Sequence, residues 1–168
     1  MSTGQGIAPL LLRADFGSEV GSGHVMRCLA LAQAWVARGG PAALLAAALP
    51  DHVRARAVAA GVEVLDPSAA TDLDAGWVVL DGYHFGRPDQ EAVLAGGKKL
   101  LVVDDHGRVG HYDADLVVDQ NLGGAREWYA HRAPGPGCCS GPGTRCSGPS
   151  SPAWCPTGPT SGRCDGCW

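Results

Sequence analysis

Four apolar runs, each closing on a carboxylate, constrain this chain more than anything else in it: IAPLLLRAD at 7–15, WVVLD at 77–81, KLLVVD at 99–104 and DLVVD at 115–119. Strands apolar on both faces need cover on both faces, which is the environment of a parallel sheet. Ala42 to Ala47 and Val62 to Leu65 add two shorter candidate strands. Helical spacing fills the gaps. From His24 to Arg38 it sets Val25, Cys28, Leu29, Ala32 and Val36 on one face, with Gly39-Gly40 as the stop. Asp51 to Ala60 reads as a helix closed by Gly61, and Pro88 to Leu94 as a third, short one. The alternation predicts an α/β fold: a doubly wound, mainly parallel, Rossmann-like sheet.

The pattern stops near residue 132. From Ala133 to Trp168 there is no Leu, Ile, Val, Met or Phe, and Trp154 and Trp168 are the only large apolar groups. Such a segment buries too little apolar surface to offset its ordering entropy, so the expectation is a Rossmann-like domain at 1–132 and a disordered tail at 133–168. Six of the seven cysteines fall in that tail, and Cys28 stands alone in the domain. Cys164 and Cys167 have the C-x-x-C spacing, but no second spaced pair or apolar support accompanies them, so no metal site is expected.

The formal net charge is −4 and no Lys/Arg stripe occurs, which argues against a nucleic-acid partner. Pro41 to Pro50, the longest apolar stretch, is too short to span a bilayer. Nothing at the N-terminus reads as a basic region, apolar core and small-residue cleavage site, so a cytoplasmic location is expected.

In a sheet of this kind, ligands bind beyond the carboxyl ends of the strands, where the strand order reverses. With the usual order, that crevice lies between the first and fourth strands and is bounded by Asp15 to His24 and Asp81 to His84. The first loop carries Gly17, Gly21 and Gly23, then His24 and Arg27. It reads as an anion-binding loop at a helix N-terminus or as a plain tight turn; the third glycine of the dinucleotide fingerprint is absent. His24 at the helix start faces the crevice either as a base, kept neutral by the helix dipole, or as a cap. Asp15 and Asp81 orient such an imidazole, hold a sugar hydroxyl, or cap their turns. Tyr83 and His84 contact a ligand ring or cover the sheet edge. Asp104-Asp105-His106 suggests a metal or proton-transfer cluster, but a strand-end Asp pair more commonly caps loop N–H groups.

The ordered set Arg13-Ala14-Asp15, Gly21-Ser22-Gly23-His24-Val25-Met26-Arg27-Cys28-Leu29-Ala30-Leu31-Ala32, Leu80-Asp81-Gly82-Tyr83, Val103-Asp104-Asp105 and Asp115 to Asn121 resembles the nucleotide-sugar hydrolases of pseudaminic acid biosynthesis and the related spore-coat polysaccharide proteins. The likeness covers roughly Leu10 to Tyr129. It implies the N-terminal half of a GT-B-like pair of Rossmann-type domains. The implied reaction is metal- and cofactor-free hydrolysis of UDP-2,4-diacetamido-2,4,6-trideoxy-β-L-altropyranose to UDP and free sugar. His24 maps onto the family's catalytic histidine, and Arg13, Asp15, Gly21, Gly23, Arg27, Asp81, Tyr83 and Asn121 fall on the motifs around the substrate. The rival readings are a glycosyltransferase of surface or spore-coat polysaccharide and a non-catalytic sugar-binding fragment. The family's second half is absent, and residues 138–152 admit a neighbouring reading frame encoding Leu-Leu-Leu-Gly-Pro-Gly-Tyr-Ala-Leu-Leu-Arg-Pro-Glu-Phe-Ala. The tail is therefore expected to be a frameshifted read-through, the chain to be inactive alone, and its uncovered face to self-associate.

Overall fold

The computed structural model describes residues 6–14, 22–46, 49–67, 74–105, 107–121, 126–129 and 137–140. The elements are β1 (Leu10–Ala14), α1 (Gly23–Val36), β2 (Ala42–Leu45), α2 (Asp51–Ala59), β3 (Glu63–Leu65), β4 (Trp77–Asp81), α3 (Arg87–Ala95), β5 (Lys99–Val103), β6 (Leu116–Asp119), a 3₁₀ turn (Arg126–Tyr129) and β7 (Gly137–Ser140). The strands form one sheet in the order β3-β2-β1-β4-β5-β6-β7, every neighbouring pair parallel. Crossing from β1 to β2 and from β1 to β4 runs the chain in opposite directions, so β1 and β4 flank the switch point. The expected α/β class is observed.

Period-2 alternation sorts the strand residues into two cores. Leu10, Leu12 and Ala14 of β1 and Val79 of β4 pack with Val25, Cys28, Leu29 and Ala32 of α1 and with Val53 and Ala57 of α2. Leu11, Val78, Leu80, Leu100, Val102 and Val117 turn to the other face, against Val93 and Leu94 of α3 and against Phe85, Tyr112 and Tyr129. Both faces are covered, which is why these strands tolerate unbroken apolar runs. Gly39, at φ +87, makes the left-handed stop after α1.

Two expectations shift. The first strand begins at Leu10 rather than Ile7, because the Pro9 carbonyl instead accepts the N–H groups of Gly76 and Trp77 at the lip of β4. The second shift is a correction to the tail. Gly137–Ser140 were expected to be disordered, yet they form β7 on the edge of β6, with Leu116 opposite Gly137 and Asp119 opposite Ser140. Composition weighs side chains only. The open edge of β6 presents main-chain donors and acceptors, and an extended backbone satisfies them without aliphatic residues. The tail cysteines from Cys146 onward lie outside the described residues. Among those described, no helix is long and apolar enough to cross a membrane.

At the carboxyl ends of β5 and β6 two buried carboxylates each receive a phenol. Tyr112 donates to Asp104, and Tyr129 donates to Asp119 at 2.7 Å. Burial first, then the hydrogen bond and charge of the partnering carboxylate, hold both phenols above their usual range. The unfolded chain therefore ionises its tyrosines first. This contribution to stability is complete below about pH 10 and declines as pH rises past it. Denaturant titration across the alkaline range should show that decline, and Tyr112→Phe should flatten it while lowering neutral-pH stability by about 1–3 kcal/mol, the cost of depriving a buried carboxylate of a donor. Gly107 offers a backbone test. Its φ is +64, and an added Cβ would overlap Trp128 Cβ and sit 2.9 Å from the Trp128 carbonyl. Gly107→Ala should cost at least about 1–2 kcal/mol in the same measurement.

Candidate functional site

β4 ends on Asp81, and its alternation carries that carboxylate to the α1 face, the side taken by Trp77 and Val79. Asp81 is fully buried. A carboxylate there needs donors, and one helical face supplies them, since residues 24, 27 and 28 stand at i, i+3 and i+4 on α1. His24 Nδ1 lies 2.6 Å from Asp81 Oδ1. Arg27 donates from Nη2 to Oδ1 at 2.6 Å and from Nε to Oδ2 at 2.7 Å, and the Cys28 thiol reaches Oδ2 at 3.7 Å. The Arg27 contact is a bidentate fork.

The hydrogen-bond partners assign the imidazole tautomer. A carboxylate gripped by a guanidinium accepts only, so His24 Nδ1 carries the proton it gives to Asp81, and in the neutral imidazole Nε2 is then the nitrogen with the lone pair. Arg27 Nη2 also lies 3.0 Å from Nδ1; with the proton on Nδ1 that contact is not a hydrogen bond, and Nη2 donates to Asp81 Oδ1. Orientation by a buried acid with one basic nitrogen left over is the arrangement of a general base. The ring of Tyr83, a residue 53% exposed, makes a T-shaped contact with His24 at a centroid distance of 4.6 Å with the planes 89° apart.

The same alternation separates Asp104 from Asp105. Asp104 follows Leu100 and Val102 to the Tyr112 side, where it also accepts the Arg108 N–H at 3.0 Å, as the loop-capping reading expects. Asp105 turns to the α1 side. There Arg27 Nη1 reaches it at 3.3 Å and Asn121 Nδ2 at 3.2 Å. Asp119, at the end of β6, holds the Asn121 N–H at 2.8 Å. Burial alone would lower the Arg27 pKa, but Asp81 and Asp105 outweigh it and hold the guanidinium above its usual range. The Cys28 thiol is pushed up, first by burial and then by the Asp81 charge, against an opposing pull from Arg27.

Of the residues singled out from sequence, His24, Arg27, Asp81, Tyr83 and Asn121 are brought together, and Gly23 opens α1 beside them with open space where a Cβ would stand. Arg13 is not brought in. Strand alternation sends it to the other face, where it lies 4.0 Å from Asp89 and 4.9 Å from the Phe85 ring. Asp15, Gly21 and His106 lie outside the described residues. Sequence reasoning gave Asp105 a loop-capping role; extending the β5 alternation by two residues would have placed it opposite Asp104, on the α1 face. Arg108 had no signal in the sequence. It lies over the Tyr83 ring, 4.1 Å from its centroid. Among the described residues, no group of three or more His, Cys, Asp or Glu side chains is placed to hold a metal ion.

The fold and site together define a parallel α/β domain with an acid-oriented histidine at its switch point. No family model matches this chain, and no curated protein or solved structure is significantly similar to it.

Arg27 and Cys28 carry the predictions for this site. Arg27→Met should lower stability by about 3 kcal/mol in urea denaturation, because it strands buried Asp81 without its main cation. Cys28 should resist thiol reagents in the native chain and react only at the rate of unfolding, as read by site-resolved mass spectrometry. Rapid native labelling would contradict its burial.

Proposed function

We propose that this chain carries the water-activating half of a UDP-sugar hydrolase acting on a UDP-linked deoxyamino sugar, as its resemblance implies. The observation that carries the reading is the 2.6 Å contact between buried Asp81 and His24 Nδ1, which leaves Nε2 as the base. In this scheme water attacks the anomeric carbon and gives its proton to His24 Nε2. The glycosidic C–O bond breaks, its electron pair stays on the phosphate oxygen, and UDP departs as an anion. Asp81 fixes the imidazole and supports the charge it gains, and Arg27 keeps Asp81 in place. Tyr83 and Asn121 stand at the rim to meet the sugar. A second Rossmann-type half, completing a GT-B-like cleft, would supply most contacts to the nucleotide, and the reaction would take place in the cytoplasm.

The test is UDP release from UDP-2,4-diacetamido-2,4,6-trideoxy-β-L-altropyranose, with and without an acceptor sugar. A chain extended by reading the segment after residue 137 in its neighbouring frame should release UDP without an acceptor. There His24→Ala should lower kcat by about 10²–10⁴-fold and change KM little. The 168-residue chain should release none. Full activity in the extended His24→Ala enzyme would sink the catalytic assignment. Release only with an acceptor would make the protein a transferase, and binding without turnover a sugar-binding fragment.

A further inference from the structure

At the carboxyl ends of β4, β5 and β6 stand four carboxylates, Asp81 and Asp105 on the α1 face and Asp104 and Asp119 on the other. A ligand bearing phosphate brings more negative charge to the same place and needs a cation with N–H groups to spare. The Arg27 charge is already committed, because Nε, Nη1 and Nη2 each meet an oxygen of Asp81 or Asp105. Arg13 lies on the opposite face beside Asp89.

Arg108 differs from both. It is exposed, and among the described residues its guanidinium meets an aromatic ring in place of a carboxylate. That ring is Tyr83, which meets Arg108 on its face at 4.1 Å and stands perpendicular to the His24 ring at a centroid distance of 4.6 Å. A single tyrosine ring thus touches both an exposed arginine and the histidine of the His24–Asp81 pair. The loop beneath Arg108 is anchored. Its own N–H donates to Asp104 at 3.0 Å, the Val109 N–H donates to the Tyr112 oxygen at 3.3 Å, and Gly107 abuts Trp128. An arginine stacked on an aromatic face loses rotamer freedom yet can still present its fork of donors to an oxyanion.

We propose that Arg108, held over Tyr83, is the anion-receiving residue of this site and binds the sugar-proximal phosphate of a nucleoside-diphosphate sugar. The identity of that ligand rests on the hydrolase reading; the phosphate contact does not. As the C–O bond breaks and its electron pair moves to the phosphate oxygen, Arg108 donates hydrogen bonds to the group that gains the charge. It touches substrate, whereas Arg27 is a positioning residue.

Calorimetric titration of the 168-residue chain with inorganic pyrophosphate tests this. Wild type should bind saturably, and more weakly as salt is raised. Arg108→Ala should bind at least about tenfold more weakly, and Arg108→Lys should fall between, keeping the charge but losing the fork. Uridine, which has no phosphate, should not distinguish the three. Tyr83 ring-proton shifts on adding pyrophosphate should appear in wild type and vanish in Arg108→Ala. The exposed side chain should be removable without a change in thermal midpoint; if Arg108→Ala does lose stability, Arg108→Lys carries the comparison. Absence of saturable binding in wild type, or equal binding by both variants, overturns the proposal. Pyrophosphate carries no sugar, so the two readings fail separately. Arg108-dependent binding by a protein that never hydrolyses a UDP-sugar removes the hydrolase and leaves the phosphate site standing.

Discussion

A carboxylate with no access to water organises this domain. Asp81 is the last residue of a central strand, and the fold has to answer it with donors. Burying an ion costs more than any single hydrogen bond returns, so the answer is a set: an imidazole, a bidentate guanidinium and a thiol, all from one face of α1. That set fixes how α1 sits on the sheet as firmly as Val25 and Leu29 do in the apolar core. The second carboxylate on Arg27, from Asp105, carries the constraint across to the end of β5. Site and scaffold are therefore one structure, and the histidine is positioned before any ligand arrives.

The physical roles within the cluster separate cleanly. All three Arg27 nitrogens meet aspartate oxygens, so its charge is spent inward on Asp81 and Asp105. Tyr83 and Arg108 face outward. The inner layer sets protonation and orientation, and the outer layer meets what comes from solution. The inner layer, built on buried Asp81, loses less to screening by salt than the exposed outer one.

Much of this was legible in the sequence because it rests on period and punctuation. WVVLD appears as a strand with its predicted bounds, and the helix after the glycine loop begins one residue before His24. The switch-point crevice followed from strand order, and with it His24, Arg27 and Asp81. Other parts depend on geometry that a string does not display. Arg13 belongs to the same motif as Ala14 but points to the other face of the sheet, a consequence of standing one residue before it in β1. Arg108 is recognisable only once a loop has folded back over Tyr83. β7 escaped notice because pairing on an open edge is a main-chain affair, and composition describes side chains.

The adjacent pair Asp104-Asp105 places two unlike environments one residue apart, with a phenol on one side of the sheet and a guanidinium on the other. Nothing in the chemistry of the two aspartates tells them apart; only their parity along β5 does. Lengthening or shortening β5 by a single residue would exchange their destinations, bringing Asp104 towards Arg27 and Asp105 towards Tyr112 while turning the apolar residues of the strand inside out. Substitution can therefore wander in this segment, but its length cannot drift by one, and any viable insertion there would have to come in pairs or be absorbed as a bulge.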